Sequence, residues 1–498
     1  MKKISVILLS VLLLSIFISC SDSNSGTAET TTANTNINEE TVTEETTEAR
    51  IDPGLPEDKF YDGYEFRVLT KGTTSTHWYS RDIAATEVTG EPINDAVYNR
   101  NLVISEKYGV TIVDIPGTTN DPAPLETMAR KAIAAGDDVY DMLCFRTPSL
   151  IADGYLYNIY DIPYINLDQP YYDQNIIESH TIQNRLYCIA GDMVIMDNDA
   201  IINVQFNKKI AEDYGFAEKY GKDLYGMVND GQWTLGVFYE TAKMVVEDLN
   251  GDGQMTELTD RWGYQTEGHN GYAFFAGSGE RIAKVENDYP VITLESERVV
   301  NVLEKVVEIQ MDRVTGLHSD VPKGYADVWT ECMDKNFEGG LALYNIAGLN
   351  RVTLFRAMEI DFGLLPMPKY DEAQERYYNS VNTWCGNFIC IPVTVTDVER
   401  TGIIIEALSC ESRYTLLPAY YDITLKTKLS RDVESSAMVD LLLENTMYDI
   451  GVFYNWGGAE GVLTGLQDAG KFSSSLASSQ KAMNAAIDKT MTALEKLD

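Results

Sequence analysis

Between Tyr64 and Phe145 the chain alternates short strand-like runs with amphipathic stretches, and this alternation limits the fold more than any other feature. Tyr64-Glu65-Phe66-Arg67-Val68-Leu69 alternates at the period of a strand. A polar loop holding His77, Trp78 and Tyr79 follows. Pro92 then opens a helical stretch with Ile93, Val97, Ile104 and Tyr108 on one face. Gly109 stops that helix, and Val110-Thr111-Ile112-Val113 reads as the next strand. A second helix runs through Met128 to Ala135, Gly136 ends it, and residues 139–145 read as a buried strand. Strand, helix, strand, helix, strand at this spacing predicts an α/β fold, a parallel sheet with helices on its faces.

The pattern continues. Ile201-Ile202-Asn203-Val204-Gln205-Phe206 is a strand, and Trp233-Thr234 precedes a helix with Phe238, Ala242, Val245 and Val246 as its apolar side. A helix near residues 299–309 and strands at 341–344, 362–365 and 388–392 come later, with helical material from about 479 to 497. No internal repeat is visible. A body of this length exceeds what one compact core serves, so two lobes are expected.

The N-terminus has another texture. Met1-Lys2-Lys3, an apolar run from Ile4 to Ile18 and then Ser19-Cys20 make a secretory signal, too short for a membrane span of roughly 20 apolar residues. Phe17-Ile18-Ser19-Cys20 resembles the bacterial lipobox, with Phe17 where Leu is commonest. That resemblance implies cleavage before Cys20 and lipidation of Cys20, which would anchor the protein on the extracytoplasmic face of the cell membrane. The alternative is an ordinary signal with an incidental Cys20. Residues 20–52 form a tether without aromatic residues, carrying eight acids against one Arg between 21 and 52.

Formal charge is -37, and about -39 once Lys2 and Lys3 leave with the signal. Such an acidic body repels nucleic acid and anionic headgroups, which argues against both as partners. Beyond Cys20, the cysteines 144, 188, 332, 385, 390 and 410 show no metal spacing, and Cys144 and Cys390 sit in apolar runs. They are expected to be mostly free and buried.

Three segments carry a family resemblance. Ala135-Gly136-Asp137-Asp138-Val139-Tyr140-Asp141, Phe337-Glu338-Gly339-Gly340-Leu341-Ala342-Leu343 and Phe362-Gly363-Leu364-Leu365-Pro366-Met367-Pro368 resemble, in order, segments of the family-1, carbohydrate-type extracellular solute-binding proteins of ABC importers. The resemblance implies a two-lobed periplasmic-binding-protein-like clamshell of type II, each lobe a mostly parallel sheet flanked by helices and discontinuous in sequence. Its implied boundaries are 53–195 with 387–425 for lobe 1 and 196–386 with 426–498 for lobe 2, with crossings near 193–198 and 381–387. It further implies a ligand in the inter-lobe cleft, closure by a hinge, permease subunits as partners and a monomer.

The sharpest local motif runs from Asp248 to Asp260. Asp248, Asn250 and Asp252 occupy positions one, three and five of an EF-hand-type calcium loop, Gly253 position six, and Gln254 would offer its carbonyl. Position twelve is Thr259, so Glu257, Asp260 or a distant acid must close the sphere. Two readings stand: structural calcium, or a metal-free Asn-Gly/Asp-Gly turn.

Thirty Tyr and six Trp are the second signal, because sugar rings stack their C–H faces on flat aromatic rings. Trp78 after the first strand, Trp384 and Asn387 at the second crossing, Tyr421, and Trp456 in a Gly-flanked loop are candidate ligand contacts, each with buried packing as the competing role. Asp197 at the first crossing is the acidic candidate, against a plain turn. Arg146 either reaches the cleft or pairs with an acid at its rim. Trp233 and Trp262 read as structural.

These readings converge on a lipid-anchored substrate-binding protein for a sugar or oligosaccharide, without chemistry of its own. No G-x-S-x-G, H-E-x-x-H or phosphate loop is present, and the four histidines share no ligand spacing. The competing classes are a secreted carbohydrate-active hydrolase using a carboxylate pair and a structural surface lipoprotein.

Overall fold

In sequence order the strands are β1 Tyr64–Thr70, β2 Val110–Pro116, β3 Met142–Cys144, β4 Ile202–Asn207, β5 Trp262–Thr266, β6 Ala283–Glu286 and β7 Tyr289–Ile292. They continue with β8 Gly316–His318, β9 Ala342–Gly348, β10 Phe362–Leu365, β11 Asn379–Ser380, β12 Ile389–Cys390 and β13 Thr446–Met447. The computed structural model describes residues 50–73, 78–355, 357–421 and 433–495. The expected signal, Cys20, the tether up to 49, and His77 lie outside the described residues. Contacts separate Met1–Arg50 from Ile51–Asp498, and everything below concerns the latter.

The first sheet runs β12-β3-β1-β2, with β1 parallel to both neighbours. Helix α1, Pro92–Tyr108, connects β1 to β2, and helix α2, Pro122–Ala135, connects β2 to β3. Their ends follow from local chemistry. Glu91 accepts from Asn94 N and Asp121 from Ala123 N at the two N-termini, each with Pro in the first turn. Gly109 closes α1 at φ 64, where a Cβ would also lie 2.6 Å from the Phe60 ring. β3 is shorter than the predicted 139–145 strand. The buried Asp141 carboxylate takes the backbone N–H of Arg67 at 2.8 Å and its Nε at 2.9 Å, and Val139 is exposed. Asp141 N still donates to Arg67 O at 2.8 Å, so its backbone sits at the edge of the ladder while its side chain serves that ion pair.

The second sheet runs β10-β4-β9-β5-β8. Here the expectation of a mostly parallel sheet needs correcting: β4 is antiparallel to both β9 and β10, while β5 is parallel to β8 and β9. β4 enters directly from the first lobe, with no crossover helix to turn it, so its direction relative to β9 is not set by the βαβ rule.

Each sheet has its own core. Phe66, Val68, Leu143 and Ile389 centre one, and Val204, Phe238, Tyr264, Tyr344 and Leu364 centre the other. The segment after 426, expected wholly in lobe 2, feeds both. Met438, Leu442 and Met483 pack in the second core, whereas Tyr448, Phe453, Trp456, Met491 and Leu494 pack in the first. The last helix, Phe472–Glu495, is long enough to lie against both. Between the sheets, Ile201 bridges Val381 antiparallel and Asn382 N donates to Ala200 O at 2.9 Å, so two chain passages run side by side. The six described cysteines are all free and buried.

Candidate functional site

The carboxyl ends of β1, β3, β5 and β9 open on one cleft of about 610 Å³, the place where sheet-based sites form. One wall is Trp78 from the loop after β1, Arg146 just beyond β3, and Asn382-Thr383-Trp384-Cys385. The facing wall brings Glu267 and His269 from the end of β5, Ile346-Ala347-Gly348 from β9, then Arg351, Asp327, Trp329 and Glu460.

Polar groups in the cleft are held from behind. Arg146 donates Nε to Phe453 O at 2.7 Å and Nη2 to Val452 O at 2.9 Å, so it lines the cleft, held by carbonyls and not by an acid at the rim. Arg351 donates Nη1 to the buried Asp334 at 2.9 Å and lies 5.7 Å above the Trp329 ring. Burial raises the Asp334 carboxyl to about 6 in spite of that arginine. Burial likewise raises Glu267. Burial also pushes Glu460 up, but His269, with Nδ1 3.1 Å away, and the charge of Arg146 outweigh it and leave Glu460 lowered.

Two of the sequence candidates meet here. Trp78 and Trp384 both line the cleft, and Trp384 is 42% exposed. The others do not reach it. Asp197 is sealed at 1% exposure and accepts from Tyr448 OH at 3.1 Å, which makes it part of the packing between passages. Asn387 is fully buried and donates to Ser80 Oγ at 2.9 Å. Trp456 is 3% exposed, stacks on Tyr454 with centroids 4.6 Å apart, and donates Nε1 to Thr490 at 2.9 Å. Tyr421 is half-buried against the second core and is not among the cleft residues.

Sequence reasoning missed Trp329, Glu267, His269, Asp327, Arg351 and Glu460 as lining residues. Glu267 and His269 carried a usable signal, because they follow the end of a core strand. Trp329 and Glu460 sit in unremarkable helical sequence and carried none.

The Asp248–Asp260 loop lies apart from the cleft. Asp248 Oδ1 accepts from Gly251 N and Oδ2 from Gly253 N, both at 2.7 Å; Asn250 Oδ1 accepts from Asp252 N, and Asp252 Oδ1 from Gln254 N, both at 2.8 Å. Asp260 is buried and spends its oxygens on Leu249 N at 3.0 Å and Thr256 N at 2.7 Å, while the Glu257 carbonyl accepts from Asn336. Gly253 takes φ 77, the turn an EF-hand loop needs at that position. Among the described residues no three Asp, Glu, His or Cys side chains converge on a metal-sized point. The loop is complete as a hydrogen-bonded turn, and a calcium ion would draw on Asp248, Asn250, Asp252 and the Gln254 carbonyl.

No family model matches the chain, and no curated protein matches it. Solved structures do. A cyclo/maltodextrin-binding protein complexed with maltotetraose is 13% identical, with TM-score 0.53 over 88% of this chain and 97% of that one. UgpB from Mycobacterium tuberculosis, in complex with glycerophosphocholine, is 14% identical with TM-score 0.52 over 81% and 98%. The GacH receptor of Streptomyces glaucescens, solved unliganded and with acarbose, is 11% identical with TM-score 0.50 over 87% and 98%. At these identities the likeness shows the fold, the α/β two-lobed periplasmic-binding-protein arrangement.

Proposed function

We propose that this protein is the substrate-binding component of an ABC importer and takes a sugar or oligosaccharide into the cleft between its sheets. One observation carries the reading: Trp78, Trp329 and Trp384 stand in a single cleft with two arginines, a histidine and three carboxylates. Flat indoles suit the C–H faces of pyranose rings, and the charged groups suit their hydroxyls. A volume of about 610 Å³ suits a ligand of one to a few rings. The ligands bound in similarly folded proteins, maltotetraose and acarbose among them, support the same class.

Anchoring through Cys20 belongs to this reading, since a tethered binder stays beside its permease. Mass spectrometry of the mature N-terminus tests it: a diacylglyceryl-bearing Cys20 supports anchoring, and an unmodified N-terminus elsewhere rejects it. Structural calcium at Asp248, Asn250, Asp252 and Gln254 belongs to it too, supported by the oxygen spacing and by Gly253, with Thr259 at position twelve counting against it.

The test of binding is calorimetric titration with maltotetraose and a panel of neutral and acidic oligosaccharides, followed by chromatographic recovery of the sugar. Stoichiometric binding with intact recovery is expected. Absence of binding across the panel overturns the reading. Cleaved product would favour the second reading, a hydrolase. The opposite shifts of Glu267, raised, and Glu460, lowered, are the one observation that favours it, because an acid–base pair needs such a separation.

A further inference from the structure

Lys71 is the residue immediately after β1, and at 1% exposure it is sealed from solvent. The partners of its ammonium are three successive carbonyl oxygens, those of Trp384 at 2.9 Å, Cys385 at 2.5 Å and Gly386 at 3.1 Å. The segment they belong to is folded back on itself. Cys385 N and Gly386 N donate to Asn382 O at 3.0 and 2.9 Å, and Trp384 N donates to Asn382 Oδ1 at 3.1 Å. This turn aims the backbone oxygens inward at one point and leaves the Trp384 indole facing the cleft. Three carbonyl dipoles converging on one buried point repel one another unless a cation sits among them. An ammonium has three N–H donors for three acceptors, whereas a neutral amine has two and adds a lone pair.

We propose that Lys71 is a positioning residue of the cleft: its buried ammonium pins the 382–387 segment, thereby setting the stand of Trp384, and the segment loosens when that ammonium loses its proton. The proposal rests on the cleft being the binding site, but its test needs no ligand and so fails separately from that reading.

The groups that face Lys71 are the Cys385 thiol of the pinned segment, the Cys144 thiol at the end of β3, the Asp82 carboxyl from the loop after β1 and the Arg146 guanidinium beyond β3. Burial brings the Lys71 ammonium down from 10.5 to about 8, opposed by Cys385, Cys144 and Asp82 and assisted by Arg146. Burial raises Cys385 to about 12 and Cys144 well above its ordinary value, so neither thiol ionises as Lys71 titrates. Burial raises Asp82 as well, and its Oδ2 is taken by Ile195 N at 2.8 Å.

The experiment is hydrogen–deuterium exchange with mass spectrometry on the full-length, ligand-free protein at pH 7 and pH 9, corrected for intrinsic exchange. The helix Val398–Ser412 is the internal reference. At one unit above its pKa Lys71 is about nine-tenths neutral, so wild-type protection of the 382–387 segment should fall roughly tenfold while the reference stays constant. Lys71→Met should show the low protection already at pH 7 with no further fall. Lys71→Arg, whose guanidinium keeps its charge, should hold the pH 7 protection at pH 9. A packing role for the aliphatic stem alone would produce no pH dependence. Equal wild-type protection at both pH values overturns the proposal, and so does a folded Lys71→Met protein with wild-type protection at pH 7. If Lys71→Met does not fold, the wild-type and Lys71→Arg profiles decide alone.

Discussion

Substituting Ala for Gly348 tests the cleft floor, because the new methyl group has nowhere to go. Gly348 ends β9 and lines the cleft. A Cβ there would lie 2.7 Å from the carbonyl oxygen of Asp199 and 2.9 Å from both Asn350 Oδ1 and Trp78 Cη2, against 3.4 Å for the near edge of ordinary contact. The Asp199 oxygen cannot retreat easily. It accepts from Asn350 N at 3.2 Å, and the Asp199 carboxylate is tied to Arg81 at 2.8 Å and Tyr420 OH at 3.0 Å. The indole edge of Trp78 is the third contact, and it borders the cleft. Overpacking of this kind costs about 1–3 kcal/mol. For a unit the size of one lobe, each kcal/mol lowers Tm by roughly 2–4 °C. Because Trp78 lines the cleft and lies in the path of the new methyl group, affinity for any cleft-bound oligosaccharide should fall in the same variant, about fivefold for each kcal/mol of stacking lost. Differential scanning calorimetry and isothermal titration on Gly348→Ala read both quantities. A variant with unchanged Tm and unchanged affinity would show that the floor is looser than these distances state, and would refute the reasoning.

Four further outcomes are expected. Trp456→Ala removes a buried, stacked indole and should cost about 3–5 kcal/mol of stability, whereas Trp384→Ala should leave Tm near wild type and weaken sugar binding; the reverse result rejects both placements. Gly461→Ala, in the helix Ala459–Thr464 with open space around its Cα, should stabilise by about 0.5–1 kcal/mol, and a loss of Tm would count against the helix. His180 is buried against Phe453 at 5.0 Å, and burial lowers its pKa from 6.5 to about 3. Its neutral form belongs to the fold, so stability is lost as pH falls below 6.5, by about 2 kcal/mol at pH 5; the Tm gap between pH 7 and pH 5 should shrink in His180→Gln, and an unchanged gap refutes the assignment. Finally, chelation should lower Tm if the Asp248–Asp260 loop holds calcium, and an unchanged Tm leaves it a metal-free turn.

Much of the fold was legible because the signals are local. Pro92 and Pro122 inside helix starts, Gly109 and Gly136 beyond helix ends, and the alternation through Tyr64–Thr70 are decided by neighbours a few residues apart. The passages near Asp197 and Trp384 were placed by the family resemblance and not by these local signals. The local reading overextended β3 to 139–145, where Val139 is exposed and the Asp141 side chain is taken by Arg67, 74 residues away. It misjudged the direction of β4 because pairing direction depends on where a strand enters its sheet.

The sequence by itself determined an α/β body with alternating elements and a supply of six indoles. It could not sort the indoles. Trp384 and Trp456 both lie in Gly-flanked polar loops, yet one is 42% exposed in the cleft and the other 3% exposed behind the first sheet. Asp197 and Asn387 looked like cleft residues and are sealed, while Trp329 and Glu460 looked ordinary and line the cleft. Only the tertiary structure decided these, because the cleft joins residues from 78 to 460 that come from the ends of two separate sheets. The charge on Lys71 is the clearest case. Nothing near it in the chain calls for a buried ammonium, and the three carbonyls that do lie more than 300 residues away.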